Sequence, residues 1–310
     1  MPEEYNPEEN TGVILGRRPT DFVAAEAAGV IPYEVVNPSG DWRPYLPAGE
    51  RQSSVPAPTT GERDSMSCVT FSAENSIETQ EKQQTGKDAN YSDRWTAVES
   101  GTTINGNYLW KVADTIRKMG LAPNSLYPAP ATPWDFNEYH KPIPESLRNQ
   151  LKAEGLKWLE KWEIFYEWIP VTKESLLHHL KQAPLQLVYP SHAVVGILCE
   201  ADVVRLFDSY IRSGNFQNTK RYDQLTDCLK IVLKRKESTM FPAKKIKVVR
   251  PDGSTAFGVA VFTPNMINVT LAEDEAEWRS YGKLDSYGVT TVNADGSTNY
   301  DTDFTWNVPQ

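Results

Sequence analysis

Cysteine is scarce in this 310-residue chain, which carries only Cys68, Cys199 and Cys228. Three cysteines cannot build a disulfide framework, so the fold must stand on its core and suits a reducing compartment. Long apolar runs are missing as well. The longest, such as Ala193–Cys199 and Phe257–Phe262, are far too short to cross a bilayer, which predicts no membrane span. The first ten residues are acidic and lack the basic head and apolar stretch of a secretory signal, so an intracellular location is expected. Positive charge is not in excess: 32 Lys and Arg against 41 Asp and Glu give a net charge of −9. That sign excludes a nucleic-acid partner held by phosphate neutralisation. The basic stretches Lys230–Lys236 and Lys244–Lys247 read as local solvated faces. No glycine-rich phosphate loop, dinucleotide fingerprint or zinc-spaced Cys/His cluster is present. His178-His179 would point to different faces of a helix. Neither a metal nor a cofactor is expected.

What remains is a globular composition, 39% hydrophobic and 24% charged. Residues 1–60 are rich in Pro, Gly and polar side chains; they read as an extended strap, with one short helix at Asp21–Ala28. Helical spacing predicts helices over about Ser67–Thr85, Tyr108–Met119 and Ile143–Lys161, the first two stopped by Gly86 and Gly120. A Pro-rich connection separates the second from the third. Glu163–Val171, Leu185–Tyr189, Ala193–Cys199 and Val203–Phe207 are short, apolar and rich in β-branched or aromatic residues, hence strands. Thr172 caps a short helix between the first two. Cys199 fits a buried strand and Cys228 a buried helix. Trp158, Trp162 and Trp168 fit core packing better than ligand contact. From Ser238 the pattern restarts, with a hairpin about Pro251-Asp252-Gly253 and an acidic helix over Glu273–Tyr281. Helices first and strands second predict an α+β fold of two facing sub-domains. The expected organisation is an N-terminal segment (1–60), a main domain (61–238) and a small appended α/β module (239–310).

Three residues carry the candidate chemistry. Cys68 opens the first helix, where unpaired N–H groups favour a thiolate; the bland alternative is a small buried hydrophobe. His192 begins an apolar strand and Asp208 ends the next, so Asp208 can orient the imidazole while His192 serves as base. Each residue alone is weak evidence. Their order and contexts together point to a cysteine nucleophile.

At these positions the sequence resembles the papain family of cysteine peptidases. Cys68-Val-Thr-Phe71-Ser72, with Ala73 and Glu78, is similar to the family's nucleophile motif Cys-Trp-Ala-Phe-Ser. Ser191-His192-Ala193-Val194 is similar to its Asn-His-Ala-Val, and Asp208-Ser209-Tyr210 to its Asn-Ser-Trp. Asn105-Gly106-Asn107-Tyr108 resembles the Asn-Gly-Gly-Tyr stretch that lines the substrate cleft, and Leu126-Tyr127-Pro128 carries the family's Tyr-Pro. The likeness covers roughly residues 60–236. It implies a papain-like fold with a helical half and an antiparallel β half, and peptide hydrolysis through Cys68, His192 and Asp208. Gly106, Asn107 and Tyr210 would line the cleft. The substrate would be a protein or peptide, including a cell-wall cross-link.

Several positions depart from the pattern. Glu62 stands where the family has its oxyanion glutamine, and an ionised carboxylate cannot donate. Gln52 and Arg63 are the substitute donors close in sequence. Asn107 replaces a cleft glycine, where a side chain would narrow the groove. Ser65 replaces a disulfide cysteine, and the stretch before His192 is short. These departures keep a second expectation in view, a papain-like scaffold with weak or lost chemistry. Sequences of this build resemble bacteriophage-encoded proteins, which implies a virion component docking a partner through the C-terminal module.

Overall fold

The computed structural model describes residues 12–16, 34–54, 64–210 and 216–236, together with the strand backbone at 243–249, 255–263, 266–271, 287–292 and 298–299. The helix expected at Asp21–Ala28, the acidic helix at Glu273–Tyr281, and both Glu62 and Arg63 lie outside the described residues. The chain forms two compact units, residues 1–236 and 237–310.

In the first unit, α1 (Cys68–Thr85) begins at the candidate nucleophile and ends where Gly86 turns left-handed at φ 70°. Its first thirteen residues, Cys68 to Gln80, are all buried. The apolar stripe of Phe71, Ala73 and Ile77 is therefore only part of what the helix buries. A helix covered on every side needs its polar groups satisfied by neighbours. Gln80 bridges to a strand, donating to Ile231 O at 2.9 Å and accepting from Leu233 N at 2.8 Å. Gln186 donates to Val69 O and Ser72 Oγ, both at 2.8 Å.

The helices that follow are α2 (Asp93–Glu99), α3 (Leu109–Met119), α4 (Phe136–Tyr139) and α5 (Glu145–Lys161). Sequence periodicity misses α2, whose seven residues are too few to show a repeat; its Ser92 cap accepts from Trp95 N at 3.1 Å. Then come β1 (Trp162–Trp168), α6 (Lys173–His179), β2 (Leu185–Tyr189), β3 (His192–Cys199), β4 (Val203–Phe207), β5 (Gln217–Arg221) and β6 (Asp227–Arg235). Thr172 caps α6 as its sequence predicts, accepting from Ser175 N at 3.2 Å.

The six strands form one antiparallel sheet in the order β1-β6-β2-β3-β4-β5. Alternation of side chains sends Val188, Ala193, Leu229 and Ile231 into the cluster shared with α1 and α3. Leu187, Val194 and Cys228 join a second cluster with Trp42. Cys228 thus lies in a strand, not a helix. Basic residue Lys230 is likewise no solvated face. Its ammonium is fully buried, 2.5 Å from Glu167 and 2.7 Å from Gln182 Oε1. Strand β6 is buried on both faces from Cys228 to Ile231, which the charged residues within it and at its ends mask in the sequence. Trp158, Trp162 and Trp168 are core residues.

The described parts of the N-terminal segment lie along this unit. Trp42 donates from Nε1 to Leu180 O at 2.7 Å and from N to Ile197 O at 3.0 Å. Lys82 donates to Leu46 O at 3.0 Å, and Ser65 N to Gln52 O at 2.9 Å, so residues 46–52 follow α1 from its last turn back to its first.

In the second unit, β7 (Ala243–Val249) pairs antiparallel with β8 (Thr255–Thr263), the expected hairpin. β9 (Met266–Leu271), β10 (Tyr287–Val292) and β11 (Thr298–Asn299) complete a sheet in the order β11-β10-β7-β8-β9, with β10 parallel to β7.

Candidate active site

The sheet sets the base. Tyr189 and His192 face each other across a tight turn at Pro190-Ser191, which holds the histidine at the mouth of the β2–β3 hairpin. His192 Nε2 lies 2.8 Å from Asp208 Oδ1, and His192 and Asp208 are 0% and 2% exposed. Asp208 also accepts from Tyr210 N at 2.9 Å and, on Oδ2, from Tyr189 OH at 2.9 Å. Burial works to raise the Asp208 carboxyl. The His192 charge and these hydrogen bonds outweigh it and hold the carboxyl below its usual range. Burial likewise opposes a charge on His192, yet Asp208 and the Cys68 side chain lift it to about 10. These partners favour the imidazolium at neutral pH, with Nε2 on Asp208 and Nδ1 the ring nitrogen left for Cys68. The Tyr210 ring stacks beside it, centroids 4.6 Å apart.

Cys68 is 0% exposed at the first position of α1, where N–H groups lack intrahelical partners. The turn before it is strained: Met66 sits at φ 53°, which costs a non-glycine residue about 1–2 kcal/mol. Asp64 compensates, accepting from Met66 N at 2.6 Å. On the other side of the turn, His140 Nε2 donates to Ser65 O at 2.7 Å. Burial lowers the His140 pKa, consistent with a neutral ring.

Asp64 belongs to a closed polar ring. Gln52 Nε2 donates to Asp64 Oδ1 at 3.2 Å and to Tyr210 OH at 2.5 Å, and Tyr210 OH donates to Asp64 Oδ2. Ser209 Oγ donates to Gln52 Oε1 at 2.6 Å. Gln52, one of the substitutes weighed for Glu62, is therefore a buried amide anchored on the two residues that follow Asp208. Asp64 and Tyr189 carry no sequence signal that marks them for the site. Their roles follow from contacts across 146 and 19 positions of chain.

Gly106 and Asn107 form an edge, but that edge is taken. Asn107 N donates to Gly12 O at 3.2 Å and Ile14 N to Asn107 O at 2.9 Å, a parallel bridge. Gly106 stands at φ 87°, and a Cβ there would meet Gly12 O at 2.0 Å. Val13 is buried in the cluster that holds Cys68, Leu109 and Ala193. The Asn107 side chain does not narrow the groove. It turns inward, donating to Ser100 Oγ at 2.9 Å and Thr102 Oγ1 at 3.1 Å. An open cleft of about 880 Å³ lies between Thr103–Ile104 and Pro133–Glu138, and none of Cys68, His192 and Asp208 lines it. Among the described residues no group of three or more His, Cys, Asp and Glu is arranged to hold a metal, and no helix is long and apolar enough to cross a membrane.

The helical layer packed on the antiparallel sheet is an α+β fold of the papain-like cysteine-protease kind. Xylellain, a cysteine protease from Xylella fastidiosa, is similar with a TM-score of 0.53 at 15% identity, over 74% of this chain and 98% of that one. Bromelain from Ananas comosus is similar at a TM-score of 0.46 and 15% identity, over 63% and 98%. The fold assignment rests on the first. No family model and no curated protein sequence matches the chain.

Proposed function

We propose that this protein is a cysteine peptidase. The observation that carries this reading is the two-sided environment of His192: Nε2 is bound to Asp208, and Nδ1 is left for Cys68. The Cys68 thiolate, paired with the His192 imidazolium, attacks the peptide carbonyl carbon, forming a C–S bond as the carbonyl π pair moves onto oxygen to give a tetrahedral oxyanion. The backbone N–H of Cys68 and the Gln52 amide are the donors offered to that oxyanion. Collapse breaks the C–N bond as His192 passes its proton to the leaving amine. Water then hydrolyses the acyl-enzyme with His192 as base. A substrate that pairs along Gly106–Asn107 must displace residues 12–14. Protein or peptide substrates inside a cell fit this reading.

The test is labelling by iodoacetamide at pH 6–7, with and without His192→Ala, alongside hydrolysis of a casein-type protein substrate. Fast labelling that depends on His192 supports the reading. Labelling no faster than a free thiol, indifferent to His192, rules it out.

One observation favours a second reading. Cys68 and His192 have no exposed surface at all, which also suits a scaffold with silent chemistry, for instance a virion component that binds a partner through residues 237–310.

A further inference from the structure

We infer that Asp64 is a positioning residue, whose single carboxylate fixes both the turn ahead of Cys68 and the Gln52 amide as a donor set for the oxyanion. The inference rests on the peptidase reading and deepens it. Asp64 is 3% exposed, and the acceptors on its two oxygens are used by groups from three separate stretches of chain. Oδ1 takes Met66 N–H and Gln52 Nε2–H, and Oδ2 takes Tyr210 O–H. Met66 holds a left-handed conformation two residues before Cys68, and the direction of that turn decides where the Cys68 N–H points. Gln52 has its carbonyl oxygen on Ser209 and one N–H on Asp64, so its amide plane is fixed at both ends. The remaining N–H is thereby aimed in a fixed direction, occupied by Tyr210 OH, and an oxyanion would take the place of that hydroxyl as its acceptor. A preorganised donor acts without reorganising at the moment of reaction, which is why this scaffolding bears on rate rather than on substrate affinity.

The experiment separates oxyanion stabilisation from thiol reactivity without requiring turnover. A peptide aldehyde adds Cys68 sulfur to its carbonyl carbon, and the carbonyl π pair moves onto oxygen at the oxyanion position. Iodoacetamide alkylates the same sulfur with loss of iodide and forms no oxyanion. Both reagents are applied to the full chain and to its Asp64→Ala and Asp64→Asn variants. Asp64→Ala should weaken aldehyde binding about 100-fold, the range for one lost oxyanion donor, and change alkylation less than about threefold. Asp64→Asn keeps an acceptor oxygen for Met66 N–H and should recover most of the aldehyde affinity. Equal losses with both reagents, or no loss with either, would overturn the positioning role. Slow, His192-independent alkylation of the unaltered chain would instead remove the peptidase reading, and this inference with it.

Discussion

His192 and Asp208 are joined by a 2.8 Å hydrogen bond in a site closed to solvent, and that pair decides the charge on the imidazole. Burial alone would drive the ring neutral; Asp208, with Cys68, lifts it to about 10. A histidine raised in the folded state adds stability that is full below its unfolded value near 6.5 and is lost as pH rises through about 10. Asp208→Ala leaves burial unopposed by its largest counterweight. Alkylation of Cys68 at pH 7 should fall at least about tenfold in that variant, and the alkaline limit of wild-type peptide hydrolysis, which needs the imidazolium to protonate the leaving amine, should lie near pH 10. A pH–rate series on both proteins checks this.

Gln52 should behave as a donor to the transition state. Gln52→Ala is expected to lower kcat by about 100- to 1,000-fold with KM little changed. Steady-state kinetics on a fluorogenic peptide measure the split, and a purely raised KM would assign Gln52 to substrate binding instead.

Gly12–Ile14 occupy the Gly106–Asn107 edge proposed for the substrate, and Val13 anchors them in the core cluster. A charged side chain is not tolerated in such a place. Val13→Asp should loosen the segment and raise the alkylation rate of Cys68 several-fold. If the rate stays the same, these residues do not gate the site.

Glu74 lies buried in α1, and burial, with help from Glu50 and against the Thr96 hydroxyl, raises its pKa to about 8. The folded state therefore keeps a proton that the unfolded chain has lost above about 4.5, so stability falls as pH rises between the two values and levels off beyond about 8. Glu74→Gln should flatten that slope and raise the melting temperature at pH 8–9. Thermal melts from pH 5 to 9 provide the comparison.

Lys230 and Glu167 form an ion pair with both side chains almost fully buried. Removing one partner strands the other charge. Lys230→Ala should cost about 3–5 kcal/mol, whereas replacing both by apolar residues of similar volume should be close to neutral. Denaturant titration of the two variants distinguishes them.

Local chemistry made much of this molecule legible. The capping residue before α6, the glycine after α1, the β-branched runs of β2 and β4, and the order Cys68, His192, Asp208 are all readable within a few residues of themselves. Strand β6 is not, because its charged residues hide a strand buried on both faces, whose buried lysine makes sense only beside Glu167. Neither is α2, whose cap is clear but whose length gives no period. The Asn107 side chain departs from the sequence expectation for a related reason: nothing nearby in sequence tells an amide whether to face a groove or the hydroxyls of Ser100 and Thr102.

Sequence by itself determined where α1 starts and stops, that β2, β3 and β4 are strands, and that a thiol, an imidazole and a carboxylate come in that order. These follow from short-range terms: caps, backbone preferences and β-branched content. Tertiary structure alone decided that His192 is charged, that Gln52 and Asp64 stand beside Tyr210, and that Gly12 lies on Gly106. Each of these is a contact between segments far apart in the chain, where burial strips away water and leaves distant partners to satisfy every polar group.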